Sequence, residues 1–135
     1  MDTLMAVTTT CEAPAKPTLY PELTERPLIY VAGYYSASPT HGTHKAIRYG
    51  ERLLAAGWTP LVPHMNLLWD AVTPHTTEFW YGYDLALLLR CDAMFVCPDA
   101  ETSLSYGVGK EIEFCLRHDI PVFYEVIPAE ERYER

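Results

Sequence analysis

The sequence lacks the features of several large protein classes. No run approaches the roughly 20 apolar residues that span a bilayer, and Met1 to Thr10 does not have the basic and then apolar pattern of a secretory signal. Basic residues are scarce, with 10 Lys and Arg against 18 Asp and Glu and a net charge of −8, which argues against a nucleic acid or an anionic membrane as partner. We expect a cytoplasmic protein that binds a small molecule.

Cysteine and metal-binding motifs are also scarce. The four Cys residues form no C-x-x-C pair, and three of them, Cys91, Cys97 and Cys115, lie in apolar patterns typical of buried, reduced thiols in an intracellular protein. His41 and His44 could share a helix face, but no neighbouring Cys or Asp supplies further ligands. The sequence therefore predicts no metal site.

Two glycine-rich nucleotide motifs are missing. No G-x-x-x-x-G-K-[ST] element occurs, so P-loop phosphoryl transfer is disfavoured. The turn after the first apolar strand reads Gly33-Tyr34-Tyr35-Ser36 and not G-x-G-x-x-G, so a dinucleotide-binding fingerprint is absent as well. We expect no cofactor.

The hydrophobic fraction of 49% over 135 residues indicates one globular domain. Residues 1–26 are rich in Pro and show no periodicity, which predicts a flexible or extended leader before a single α/β domain at 27–135. Strands and helices then alternate with short connections, apart from one long loop rich in Pro, His and Asn after the second strand. The predicted strands are 28–32, 59–62, 93–97 and 121–126, and the predicted helices are 43–56, closed by Gly57, 77–90 and 106–118.

This alternation predicts a doubly wound, Rossmann-like or flavodoxin-like α/β sandwich with four to five parallel strands, in the order 2-1-3-4. Ligands bind such sheets beyond the carboxyl ends of the strands, where the strand order reverses. The connections that begin at Gly33 and at Asp99 therefore flank the expected binding crevice.

The segment Asp99 to Glu111 carries the clearest candidate chemistry. It ends a buried strand, and Gly107 and Gly109 predict a tight turn close to a ligand as a helix begins near Tyr106. Ser103 and Ser105 suit either helix capping or phosphate contacts. Glu111 lies beside this predicted anion pocket, but this segment alone favours the simpler explanation that it is an acid that complements the helix dipole.

Three further side chains are candidates, each with a simpler explanation. Asp84 interrupts an apolar helix, where it is either paired and used or merely solvent-exposed. Tyr30 lies in a central strand, where it is either an ordinary core aromatic or a hydroxyl that needs a buried partner. His64 follows the second strand, where it either lines the pocket or satisfies a loop hydrogen bond.

Taken together, these residues resemble the nucleoside 2-deoxyribosyltransferase superfamily, including its nucleotide N-glycosidase branch and small phage and bacterial members. The resemblance covers about residues 28–126. Its motifs are Ile29-Tyr30-Val31-Ala32-Gly33, Gly57 with Pro60 and Pro63-His64, Tyr83-Asp84-Leu85, Cys91-Asp92-Ala93, Ser105-x-Gly107-x-Gly109-x-Glu111, and Ile120-Pro121-Val122.

The resemblance implies a role for each matching residue. Glu111 matches the nucleophile that attacks the anomeric carbon, Asp84 the acid that holds the substrate and manages the proton of the base, and Tyr30 the tyrosine that orients the nucleophile. Asp99 matches an acid that contacts sugar or base, and Ser105 a serine that contacts a 5'-phosphate. Tyr34 replaces a Pro found in many relatives, so sugar recognition is expected to differ there.

The implied function is cleavage or exchange of an N-glycosidic bond in a nucleoside or nucleoside 5'-monophosphate. Hydrolase and transferase both stay open, and the alternative is a nucleotide-binding or sensing module without turnover. Relatives form homodimers or larger homo-oligomers, and residues 79–89 are apolar and aromatic enough for such an interface. The expected site comprises the catalytic residues Glu111, Asp84 and Tyr30, and the substrate-binding residues Gly33, Tyr34, His64, Asp99, Ser105, Gly107 and Gly109.

Overall fold

The sheet has the predicted order. The computed structural model describes residues 22–33, 39–98 and 106–124, and within them four parallel strands pair in the order β2-β1-β3-β4. The strand bounds are β1 (Leu28–Ala32), β2 (Thr59–Leu61), β3 (Ala93–Val96) and β4 (Val122–Phe123). The doubly wound α/β fold and the reversal of strand order between β1 and β3 are thereby confirmed.

The helices follow the predicted alternation, with one addition. Their bounds are α1 (Pro39–Ala55), α2 (Asn66–Val72), α3 (Thr77–Leu88) and α4 (Tyr106–Arg117), and short 3-10 turns cover Leu23–Glu25 and Pro63–Met65. The prediction of a long loop after β2 is wrong, because the second 3-10 turn and α2 occupy most of it. No residue of α2 is buried, so this segment lacks the apolar core stripe by which sequence patterns reveal a helix.

Both faces of the sheet are covered by helices. Side chains alternate along β1, so Ile29 and Val31 pack on one face with Trp58 and the buried side of α1. Tyr30 and Ala32 point to the opposite face, where residues of α3 and α4 such as Leu88 and Val108 pack against them. This alternation directs the one polar side chain of β1 toward α3 and α4.

Gly57 ends α1 as predicted. Its φ of 108° is a backbone conformation that residues with a Cβ rarely adopt, and it turns the chain from α1 into β2. At the start of α3, the hydroxyl of Thr76 accepts a hydrogen bond of 3.1 Å from the backbone N–H of Phe79, so the first turn of α3 is capped.

The last residues of the predicted leader contact the domain. The Arg26 guanidinium donates hydrogen bonds to the carbonyl oxygens of Leu54 (2.9 Å) and Trp58 (3.1 Å), and forms an ion pair of 3.0 Å with Glu22. These contacts attach the short 3-10 turn before β1 to the end of α1. Residues 1–21 of the leader lie outside the described residues.

Several other expectations concern what is buried and what is exposed. Cys91, Cys97 and Cys115 are buried free thiols, as predicted. None of the helices in the described ranges is long and apolar enough to cross a membrane.

The interface predicted for residues 79–89 stays a prediction. Leu88 at the end of α3 is buried, whereas Phe79, Tyr81 and Leu89, which lies just beyond the helix, are about 40 to 50% exposed.

Candidate functional site

A cavity of about 230 Å³ lies at the carboxyl edge of the sheet, beside the end of β1. This is the edge at which doubly wound sheets bind ligands. The described residues that line it come from the end of β1, from the segment between β2 and α3, from α3 and from α4: Ala32, Gly33, Pro63, His64, Asn66, Asp70, His75, Thr77, Trp80, Tyr81, Asp84 and Glu111.

Glu111 and Tyr30 meet at the wall of this cavity. The Tyr30 hydroxyl donates a hydrogen bond of 2.7 Å to Glu111 Oε2, although the two residues are 81 positions apart. Tyr30 is completely buried, and burial, together with the negative charge of Glu111, raises its pKa well above the usual value. The phenol therefore stays protonated and acts as a permanent donor to Glu111.

Burial dominates the titration of Glu111. It raises the pKa of the carboxyl group to about 8, an effect that the hydrogen bond from Tyr30 opposes and the charge of Asp84 reinforces. Glu111 lies in the second turn of α4. Glu111 accepts a hydrogen bond from a core residue and lines the cavity. Its role is therefore not limited to complementing the helix dipole.

Asp84 faces the same cavity from α3. Its Oδ1 accepts a hydrogen bond of 3.0 Å from the side-chain amide of Asn66 on α2. Burial raises the pKa of Asp84 to about 7, and the bond from Asn66 opposes that rise. The explanation that Asp84 is a purely solvent-exposed acid is therefore excluded, and the cavity holds two carboxyl groups that titrate near neutral pH.

His64 lies where it was expected, beside the end of β1. Its Nε2–H donates a hydrogen bond of 3.2 Å to the carbonyl oxygen of Gly33. A Cβ at Gly33 would lie 3.4 Å from Cys97 Sγ and 3.6 Å from His64 Nε2, so the backbone approaches both side chains closely. His64 and Gly33 together form the edge of the cavity nearest to β1.

The outer wall of the cavity is organised around Asp70. Its Oδ1 accepts hydrogen bonds from the indole Nε1 of Trp80 (2.6 Å) and from the backbone N–H of His75 (2.8 Å). These two bonds lower the pKa of Asp70, and the bond from Trp80 has the larger effect. Asp70 therefore stays ionised at neutral pH. The His75 ring stacks on Phe79 at 3.9 Å between ring centres, so this wall is largely aromatic.

Gly107 and Gly109 do not form the predicted tight turn. Both lie inside α4, and neither has the positive φ found at Gly57, so that prediction is wrong. Gly109 is exposed with open space where a Cβ would be. Gly107 lines a second depression beside α4, which shares Tyr81 and Glu111 with the cavity. The expected site residues Tyr34, Asp99 and Ser105 lie outside the described residues.

Sequence reasoning missed most of the outer wall. Asn66, Asp70, His75, Thr77, Trp80 and Tyr81 all line the cavity but were not predicted to. The available signal was the spacing of Asn66 and Asp70, two polar residues four positions apart around Leu67, Leu68 and Trp69, which puts both on one side of a helix. The assumption of a loop hid that signal.

The arrangement of the two carboxyl groups suits acid–base and nucleophilic chemistry. One carboxyl group is oriented by a phenol, and a second, titrating in the same pH range, is available to exchange a proton. Within the described ranges, no three His, Cys, Asp or Glu side chains are grouped closely enough to hold a metal ion.

Comparison with known proteins gives a family and no described activity. No curated protein and no solved structure matches the chain. A family model described as a domain of unknown function matches residues 27–125, which include the four described strands and every described residue that lines the cavity. The chain therefore belongs to the DUF7768 family.

Proposed function

We propose that this protein cleaves or exchanges the N-glycosidic bond of a nucleoside or nucleoside 5'-monophosphate, with Glu111 as the nucleophile. The observation that carries the proposal is the 2.7 Å hydrogen bond from the buried Tyr30 hydroxyl to Glu111 at the cavity wall. An oriented carboxylate next to a proton-exchanging acid is what this reaction requires. The resemblance to nucleoside 2-deoxyribosyltransferases assigns the same roles to Glu111, Tyr30 and Asp84.

In the proposed first step, the Glu111 carboxylate attacks the anomeric carbon while the bond to the base nitrogen breaks. Because Tyr30 binds Oε2, we assign the attack to Oε1. The positive charge that develops on the sugar is stabilised by the carboxylate. The electron pair of the broken bond stays on the base, which takes a proton from neutral Asp84. Free base leaves, and the sugar remains esterified to Glu111.

In the second step, water or another base attacks the anomeric carbon and displaces the Glu111 carboxylate. Ionised Asp84 takes the proton that the attacking water or base releases, so both acids return to their starting states. Attack by water makes the protein a hydrolase, and attack by a base makes it a transferase. Both routes use the same residues.

A nucleotide-binding module without turnover is the second candidate, and the raised pKa of Glu111 favours it. With a pKa of about 8, most Glu111 side chains are protonated at pH 7 in the free protein. A protonated carboxyl group is a poor nucleophile, although it both donates and accepts hydrogen bonds. The catalytic proposal requires that the positive charge developing on the sugar stabilise the ionised form of Glu111, which is the less populated form in the free protein.

The first test measures the release of free base by chromatography. The protein is incubated with deoxyribonucleosides, ribonucleosides and their 5'-monophosphates, each with and without an acceptor base. We expect multiple turnovers with at least one substrate, and a product that depends on the acceptor if the protein is a transferase. Ligand binding, measured as a shift in melting temperature, without release from any substrate would contradict catalysis and support the binding module.

The pH dependence of kcat/KM is a second expected result. The productive form holds one proton on the pair, with Asp84 neutral and Glu111 ionised. The pair carries two protons well below pH 7 and none well above pH 8, so we expect a bell-shaped profile with apparent pKa values near 7 and 8 that belong to the pair.

The variant Asp84→Asn tests the origin of this profile. It removes the proton donor, and it also removes the charge that helps to raise the pKa of Glu111. We expect lower activity and loss of the alkaline limb, so that a single acid limb set by Glu111 alone remains, all read from base release across the pH range. An unchanged bell in this variant would show that Asp84 does not take part.

A further inference from the structure

Two hydrogen bonds join α2 to α3 at positions one helical turn apart. Asn66 Nδ2 donates to Asp84 Oδ1 at 3.0 Å, and Trp80 Nε1 donates to Asp70 Oδ1 at 2.6 Å. Asn66 and Asp70 are four positions apart on α2, as are Trp80 and Asp84 on α3, so each pair lies on one side of its helix. The pairing order is reversed along the two helices, as it is between antiparallel neighbours. The bond between Trp80 and Asp70 therefore holds α2 where Asn66 reaches Asp84.

The Asn66 side chain makes one hydrogen bond within the described residues, and its partner is Asp84. Asparagine is common at the start of a helix because it caps the first turn, but here Met65 holds the cap position and makes no side-chain cap bond. Asn66 is the first residue inside α2, and it lines the cavity together with Asp84. Helix capping therefore does not explain the amide at this position.

The bond from Asn66 makes the two carboxyl oxygens of Asp84 unequal. When Asp84 is neutral, one oxygen is a carbonyl oxygen and the other carries the proton. A carbonyl oxygen accepts a hydrogen bond more strongly than a protonated oxygen does, because it holds more of the negative partial charge. Since Asn66 donates to Oδ1, the proton of neutral Asp84 is favoured on Oδ2.

We propose that Asn66 is a positioning residue, whose amide binds Oδ1 of Asp84 and thereby places the proton on Oδ2 for the base that leaves. This inference rests on the function proposed above. In the first step, Oδ2–H gives its proton to the base, and the bond from Asn66 becomes stronger as the carboxylate forms. In the second step, the same oxygen takes a proton from the attacking water or base. Asn66 thus directs both proton transfers without touching the reacting atoms.

Other groups also act on the titration of Asp84. Burial is the largest influence and raises its pKa to about 7, and the bond from Asn66 opposes that rise. Because Glu111 titrates in the same pH range, a test of Asn66 has to separate the two carboxyl groups. The titratable or charged groups around the cavity are Tyr30 on β1, His64 on the 3-10 turn, Asp70 on α2, His75 before α3, Tyr81 on α3 and Glu111 on α4, with Lys110, Glu113 and Arg117 in the adjoining depression.

The direct test is the titration of Asp84 itself, followed by carbon NMR of its carboxyl group. It uses the variant Glu111→Gln, in which the second acid is absent and no turnover is needed. Asn66→Leu is added, because it keeps the approximate shape of the side chain and removes the donor. We expect it to move the midpoint of the Asp84 titration upward by about one pH unit, since the ionised form loses its hydrogen bond. An unchanged or lower midpoint would overturn the inference.

Two further variants guard this result against an indirect effect of the substitution. Asn66→Asp keeps the shape of the side chain, and its carboxylate repels ionised Asp84, so we expect the midpoint to rise at least as far. This variant decides the question if Asn66→Leu does not fold. Leu68→Ala is the control, because Leu68 lies on the same helix and is 71% exposed, and it should leave the midpoint unchanged. An equal shift in Leu68→Ala would mean that α2 acts through its position and not through the amide, which would overturn the inference.

Activity distinguishes proton transfer from general damage to the site. A purine nucleoside methylated at N7 carries a positive charge on its base, so the base leaves without needing a proton. We expect Asn66→Leu to lower kcat about tenfold for the unmethylated nucleoside and less than about twofold for the methylated one. Equal losses with both would indicate a structural role and overturn the inference. If the wild type releases base from neither, the function proposed above fails, and the titration of Asp84 alone decides whether Asn66 directs its proton.

Discussion

Replacing Glu111 with Gln is expected to abolish base release and, at alkaline pH, to make the protein more stable. The amide cannot form the ester with the sugar, so the rate of release should fall by at least about 1,000-fold. The amide fills the same space, and its oxygen can accept the hydrogen bond from Tyr30. The fold should therefore survive the change, while the cost of ionising a buried acid disappears.

The direction of the stability change follows from the pKa of Glu111. Its value in the folded protein, about 8, lies above its ordinary value of 4.5. The contribution of neutral Glu111 to the free energy of unfolding is therefore fully present below about pH 4.5. It falls as the pH rises, because Glu111 loses its proton in the unfolded chain but not yet in the folded protein, and it reaches its minimum above about pH 8. Glu111→Gln removes this loss, which at about 1.4 kcal/mol per pKa unit amounts to roughly 3 to 5 kcal/mol at pH 9.

Urea unfolding at pH 5 and at pH 9 measures this difference. We expect wild type and Glu111→Gln to be nearly equal in stability at pH 5 and well separated at pH 9. Glu113→Gln is the matched control, because Glu113 lies on the same helix with its side chain 68% exposed, and such a pair with Lys110 contributes little. The same stability gain at both pH values would show that Glu111 is not held neutral by burial.

The opposite expected effects on activity and on stability mean that the site lowers the free energy of unfolding. Two carboxyl groups, Glu111 and Asp84, are kept in surroundings that disfavour their ionised forms. Natural active sites often hold such destabilising groups because the chemistry needs them. If both acids were only structural, their removal would not be expected to affect turnover and stability in opposite directions.

The sheet was predictable because its strands are local patterns. The apolar run Leu28–Ala32 gave the bounds of β1, and Gly57 marked the end of α1. The alternation of strands and helices leaves few topologies once crossovers are right-handed, so the order 2-1-3-4 could be inferred. The same order explains the central contact of the site, since Tyr30 lies on β1 and Glu111 on the helix after the neighbouring strand β3.

The outer wall of the cavity was not predictable in the same way. It depends on α2, a helix with no fully buried residue, and on the bond from Trp80 to Asp70, which joins two helices. Neither leaves a periodic apolar pattern, and short helices take most of their stability from such tertiary contacts. Sequence patterns thus identified the inner acids and missed the groups that face them.

Tyr30→Phe is expected to lower base release near neutral pH about 10- to 100-fold and to move the alkaline limb of the pH profile to higher pH. Phe fills the buried site of Tyr30 but offers Glu111 no hydrogen bond. A bond to a charged group contributes about 1.5 to 3 kcal/mol, and here it favours the ionised form of Glu111. Without it, the pKa of Glu111 rises further, and a smaller fraction of the protein is active at a given pH.

The position of the alkaline limb distinguishes a positioning role for Tyr30 from a purely structural one. If the hydroxyl acts through Glu111, the activity of the variant relative to wild type recovers as the pH is raised, because Glu111 is then ionised in both proteins. Tyr49→Phe removes a hydroxyl from a tyrosine packed on Phe95 at the opposite face of the sheet and should leave the profile unchanged. Equal loss of activity at every pH in Tyr30→Phe would mean that the phenol supports the core and does not control the ionisation of the nucleophile.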